Sequence, residues 1–145
     1  PIGDKIELNL GQDPDVIFEL IKLRAYRDNI WMRLHGVNVF RRIDDGQGEI
    51  DVRSSVAGWD EHTVYTQRIR NYTDKEIEVE VRRTYGGDVT FRSELDPTLY
   101  DYRSPQFTTR VDAGAKQDHY FEIITKQGRN AKQNRVMLVA GEVAR

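Results

Sequence analysis

Cysteine is absent from this chain, which removes disulfides, thiolate metal ligands and a cysteine nucleophile from its chemistry. Runs of about 18 apolar residues are also missing, so no segment has the length of a membrane-spanning helix, and no basic stretch leads into an apolar one as in a signal peptide. Charge of one sign does not dominate either. The 22 Lys and Arg stand against 24 Asp and Glu, leaving no net field to draw the chain onto nucleic acid or anionic lipid. Long windows with apolar residues at i, i+3, i+4 and i+7 are lacking, and with them the pattern of an amphipathic helix. Because the first residue is Pro1 rather than Met, the chain reads as a mature or excised piece of something longer.

What is present is a series of short runs rich in β-branched and aromatic residues, bounded by Gly, Asp, Asn and Pro, the grammar of strands and turns. Ile6, Leu8 and Leu10 alternate with polar residues. The stretch 16–26 carries apolar residues at both parities, as a strand covered on two faces or a two-turn helix would, and its Val, Ile, Phe and Tyr favour the strand. The stretch 29–42 reads as a strand with a bulge at Gly36. "DDGQGE", Asp44 to Glu49, is a turn leading to a strand over 50–56, and "AGWDE" is read as a connection carrying Trp59. In the second half, 62–72 and 77–85 read as two strands that pair through the turn "TDKE". Ile77, Val79 and Val81 alternate there with Glu78, Glu80 and Arg82, as a sheet with one buried and one wet face requires. Further strands are expected over 86–95, 106–111, 118–126 and 135–143, with a loop rich in Asp, Pro and Tyr over 96–105.

About nine strands with turn signals every 8 to 12 residues predict an all-β fold, an antiparallel immunoglobulin-like β-sandwich. A length of 145 residues fits one domain and one core. The expected core of the second half is Ile77, Val79, Val81, Phe91, Phe107, Phe121 and Ile123.

Chemical constellations are sparse. His35, His62 and His119 share no i, i+2 or i, i+4 spacing, so one metal site would need three strands to converge; they read as surface or rim residues. Ser54, Ser55, Ser93 and Ser104 lie in no Gly-x-Ser-x-Gly elbow. "DDGQGEID" lacks the alternating ligands of a calcium loop. If the strands at 62–72 and 77–85 pair, Arg68, Arg70 and Arg82 share a face with Glu78 and Glu80 as a solvated ionic surface. Asn71, Tyr72 and Thr73 match a sugar-acceptor triplet, although Asn71 is more simply a turn residue. No catalytic residue, metal site or cofactor is assigned. The candidate binding residues are Tyr100, Tyr102 and Arg103 in the 96–105 loop, together with Trp59, because exposed aromatics beside hydrogen-bonding groups suit stacking on a sugar ring or anchoring an interface.

Three stretches in order, "PIGDKIELNLGQDPDV", "YTQRIRNYTDKEIEVEVRR" and "TTRVDAGAKQDHYFEIITK", resemble the C-terminal immunoglobulin-like β domain of unknown function in mucoidy-inhibitor-type bacterial envelope proteins. The segment 26–60 departs from that pattern and is expected to be an atypical hairpin or insertion. The resemblance implies the terminal piece of an exported, multidomain bacterial protein, in the periplasm or outside the cell, and carries over no site residue. The expected function is a non-catalytic interaction module that docks on other domains of its own chain or on an envelope protein. Carbohydrate binding through the loop tyrosines is the alternative, and no nucleic-acid partner is expected.

Overall fold

The structure is a computed structural model and describes residues 5–8, 15–34, 40–43 and 54–144. The turn expected over 44–49, together with Gly36 and His35, lies outside the described residues. Among these residues there are ten strands and no helix: β1 (Lys5–Leu8), β2 (Val16–Leu34), β3 (Phe40–Ile43), β4 (Ser54–Asn71), β5 (Ile77–Arg82), β6 (Asp88–Ser93), β7 (Thr98–Asp101), β8 (Ser104–Val111), β9 (Lys116–Gly128) and β10 (Val136–Ala140). They form an immunoglobulin-like β-sandwich of two sheets, ordered β1-β5-β8-β7 and β10-β6-β9-β4-β2-β3. Every pairing is antiparallel except β10 with β6. That parallel pair arises because the chain passes over β6 after leaving β9.

The core lies between the sheets, and all seven expected core residues are in it. Ile77, Val79 and Val81 of β5 and Phe107 and Val111 of β8 meet Ile69, Val89, Phe91, Phe121, Ile123 and Val136 of the larger sheet. Phe91 and Phe121 stack at 5.3 Å between ring centroids, and Tyr65 stacks on Phe121 at 5.4 Å. The alternation of Ile77, Val79 and Val81 with Glu78, Glu80 and Arg82 buries one set and leaves the other partly wet, so period two alone sets which side of β5 faces inward.

Four sequence expectations are corrected. Residues 57–61 are not a connection. They lie inside β4, where Trp59 pairs with Gln127, and the described residues of 26–60 continue the sheet as the far ends of β2 and β4 with β3 alongside. The 96–105 loop contains β7, paired with β8 as a hairpin. His62 and His119 are buried rather than on the surface. Finally, β4 and β5 do not pair. They lie in different sheets, so the turn at 72–76 is a corner across the sandwich. Arg68 and Arg70 therefore pair with Asp118 and Glu19 on the large sheet, while Arg82 pairs with Glu80 on the small one.

Asn71 makes that corner. Its side-chain Nδ2 donates to the carbonyls of Lys75, Val111 and Asp112 at 2.8, 3.1 and 3.1 Å, and its Oδ1 accepts the backbone N–H and the hydroxyl of Thr73 at 3.0 and 2.6 Å. Its backbone N–H donates to Ala115 O, and the next N–H, of Tyr72, to Asp15 O. Asn71 is 1 % exposed. The atom that would carry an N-linked sugar is therefore inside the protein and fully engaged, which disposes of the acceptor triplet.

Asn71→Asp should destabilise as strongly as Asn71→Ala, by about 3 kcal/mol in urea unfolding, because a carboxylate would face three carbonyl oxygens with no proton to give and the buried Val111 carbonyl would lose a donor. An Asp variant as stable as the native chain would show that size, not donation, is what the corner needs. His119 sits beside Phe107, at 6.0 Å between ring centroids, and burial pushes its pKa below the ordinary 6.5 against a smaller opposing pull from Asp118. The unfolded chain then binds a proton below pH 6.5 that the folded chain refuses, so this residue's contribution to stability falls as the pH drops through that value. Between pH 8 and pH 5.5 the melting temperature of the native chain should fall further than that of His119→Leu; equal falls would contradict this.

Candidate functional site

The tyrosine hairpin is built by its turn. Asp101 Oδ1 accepts the Arg103 N–H at 2.9 Å; that bond first, then the Ser104 hydroxyl, holds the Asp101 carboxyl below its usual range. Tyr102 O accepts the Val136 N–H at 2.7 Å and Arg103 O accepts the Tyr85 N–H at 2.9 Å, so the hairpin is moored to β10 and to the segment that follows β5. The Arg82 guanidinium lies 3.6 Å from the ring centroid of Tyr100 and is itself fixed by Gln106 and Glu80. Arg103 lies 5.4 Å from the ring of Tyr102. Leu99, Tyr100 and Tyr102 are 42, 59 and 56 % exposed. The structure thus brings Tyr100, Tyr102 and Arg103 onto one rigid edge. Trp59 is elsewhere, on β4 of the other sheet, with the Arg27 guanidinium 4.7 Å from its ring.

A second constellation lies on the outer face of the large sheet. Residues paired across strands share a face, so the register sets Arg24, Val64, Glu122 and Arg92 in one row, Tyr26, His62, Ile124 and Thr90 in the next, and Asp28, Asp60, Lys126 and Asp88 in a third. A β-bulge between Lys22 and Arg24 switches the parity of β2, which puts Arg24, Tyr26 and Asp28 on this side. His62 stands at the centre, with Nδ1 2.9 Å from Glu122 Oε2 and Nε2 2.7 Å from Asp28 Oδ1. Both ring nitrogens can donate to carboxylates at once only when the ring is an imidazolium. Tyr26 stacks on His62 at 4.4 Å with 8° between the planes, and its hydroxyl donates to Glu122 Oε2 at 3.3 Å. Arg92 donates to Glu122 Oε1 at 3.0 Å. Burial first, then the charge of Glu122, raises the Tyr26 pKa and keeps the phenol protonated.

This network is closed on itself. Both oxygens of Glu122 and both nitrogens of His62 are engaged by neighbouring side chains. Its role is to tie β2, β4, β9 and β6 together on the face away from the core. The sequence reading missed it, yet a signal was there: Tyr26 with Asp28 and Asp60 with His62 are polar pairs at i, i+2, the spacing that puts two side chains on one face of a strand.

Next to the network, the third row floors a cleft of about 540 Å³ whose lining includes Asn29, Trp31, Asp60, Asp88, Lys126 and Asn130. Asp60 accepts from Asn130 at 2.9 Å and Asn29 at 3.3 Å, and lies 3.5 Å from Lys126 Nζ. Asp88 accepts the Lys132 N–H at 2.9 Å. No group of three or more metal-ligating side chains gathers among the described residues.

Set beside known proteins, the chain matches no family model, no curated protein and no solved structure. Fold and site geometry therefore define it as an all-β sandwich with two unrelated surface features.

Glu122→Gln leaves His62, Arg92 and Tyr26 facing a neutral amide in a buried setting. It should cost about 3 kcal/mol of unfolding free energy, as breaking one side of a buried ion pair does, with an unchanged urea slope. A loss under about 0.5 kcal/mol would mean that the network is ornamental to stability.

Proposed function

We propose that this domain is a non-catalytic interaction module that docks, through the β7–β8 hairpin, on another domain of its own chain or on an envelope protein. The observation that carries the reading is the exposure of Leu99, Tyr100 and Tyr102 together on one edge hairpin whose backbone is fixed by Asp101, Val136 and Tyr85. Large aromatic side chains already ordered before contact lose little entropy on binding, and such residues carry most of the energy of protein interfaces. Strand β7 ends its sheet in the order of pairing, and an edge strand offers backbone groups to a partner. The resemblance of the strand and turn sequences to bacterial envelope domains supports the cellular setting and the presence of neighbouring domains. A sugar-stacking role for the same tyrosines is the weaker reading, because the Arg82 guanidinium already covers one face of the Tyr100 ring.

A photo-crosslinking residue placed at Tyr100 in the producing cell should yield a discrete adduct that the same residue at Thr108, exposed on the neighbouring strand, does not. Once a partner is captured, Tyr100→Ala with Tyr102→Ala should weaken its binding at least tenfold, about 1.4 kcal/mol. An adduct pattern identical at both positions, or none at either, would sink the proposal.

A further inference from the structure

We infer that the cleft on the outer face of the large sheet is a binding site for a hydroxyl-rich ring, a saccharide unit, a role separate from protein docking at the hairpin. Its position is produced by backbone features that ordinary strand pairing does not need. Asn29 adopts φ 49°, a left-handed conformation that Asn tolerates better than most residues. With it the register shifts between Asp28 and Trp31, and such bulges re-aim side chains. Asp28 pairs with Asp60, and two positions further along β4 Gly58 pairs with Trp31, so Trp31 joins Asp60 on the cleft side.

The opposite wall is pinned by two glycines. A Cβ at Gly58 would meet Asn130 Oδ1 at 2.7 Å and its backbone N at 2.9 Å, and one at Gly128 (φ 58°) would collide with the Ala57 carbonyl. Their absence lets Arg129 N–H bond Ala57 O at 2.9 Å and lets Asn130 reach both Asn29 O and Asp60 at 2.9 Å. The wall is thus joined to the floor through side-chain hydrogen bonds before any ligand arrives, which lowers the ordering cost of binding.

Charge then selects the ligand. Asp60 and Asp88 are buried in the floor, and Lys126, Arg129 and Lys132 line the same space. An anion would face two carboxylates and a cation three basic groups, so either pays a like-charge penalty. A hydroxyl both donates and accepts and is matched by carboxylates and by N–H donors alike. The half-buried Trp31 supplies an aromatic surface for the apolar face of a ring. A volume of about 540 Å³ falls within the roughly 300–1,000 Å³ of small-molecule sites, which likewise set a few fixed polar groups in a concave wall.

The chain has two tryptophans, so Trp59→Phe leaves Trp31 as the sole indole reporter. A glycan array covering neutral hexoses and N-acetylhexosamines, with uronic acids as anionic controls, should give at least one neutral binder and none among the uronic acids, and titration of that neutral saccharide should change Trp31 fluorescence. Trp31→Ala and, on the rim, Lys132→Ala should each weaken binding about tenfold, while Tyr100→Ala with Tyr102→Ala should leave it unchanged. Lys132 is exposed, so its variant tests the site even if Trp31→Ala compromises folding. An array without any binder, binding that follows the tyrosines instead of Lys132, or binding only of inorganic phosphate would overturn the inference.

Discussion

The side-chain amide of Asn71 holds two of the places where the chain crosses between the sheets, the β4–β5 and β8–β9 connections. Strand β4 must leave the large sheet and β5 must begin in the small one, and the chain makes the passage in a few residues. Backbone groups at such a corner have no ladder partner, and a buried unpaired carbonyl is costly. One amide donates to three carbonyls, those of Lys75, Val111 and Asp112, the first and last of which also accept from Thr73 and Ala115, while its oxygen closes the turn on Thr73. The corner at 72–76 and the β8–β9 turn at 112–115 are thereby held as one unit, and the register of β5 against β8 follows from it.

A second constraint comes from the length of β2 and β4. These strands run 19 and 18 residues, whereas β5 of the facing sheet has six, so the core cannot use them throughout. Near the corner β4 buries Gln67, Ile69 and Asn71; further back it buries Asp60, His62, Val64 and Thr66 on the other side. On that outer side polar chemistry works alongside the packing of Val64 and Ile124. Carboxylates, one imidazole, a phenol and a guanidinium satisfy one another, which is the condition under which buried charge is tolerable. Beyond them the same face opens into the cleft, where Trp31 and the third row meet the loop after β9.

The two surface features divide the labour of the fold. The tyrosine hairpin sits at the rim of the small sheet, moored to β10 and to the segment after β5, and exposes apolar area. The cleft sits on the broad face of the large sheet and exposes polar groups of both signs. Each is rigid for its own reason: Asp101 and the Val136 bond fix the first, Asn130 and the glycine contacts the second. A docked partner at one leaves the other free on a different sheet.

Alternation was legible in single strands. Glu78 and Glu80 between Ile77, Val79 and Val81 already state which side of β5 is wet, and Phe91, Phe107, Phe121 and Ile123 declare themselves as core by size and parity. The hairpin tyrosines were legible for a similar reason, since turn formers around Tyr100 and Tyr102 mark an exposed tip. The His62 network and the cleft were not, because each takes side chains from strands far apart in the chain: Glu122 is 60 residues from His62 and Asn130 is 70 from Asp60. By itself, then, the sequence determined the fold class and the inward face of individual strands, through local periodicity and turn chemistry. Only the tertiary structure decided that β4 and β5 part company, that bulges in β2 turn Tyr26 and Trp31 outward, and that two histidines go inside. Those outcomes depend on which strands become neighbours and in what register, and that is settled by how the two sheets pack as a whole.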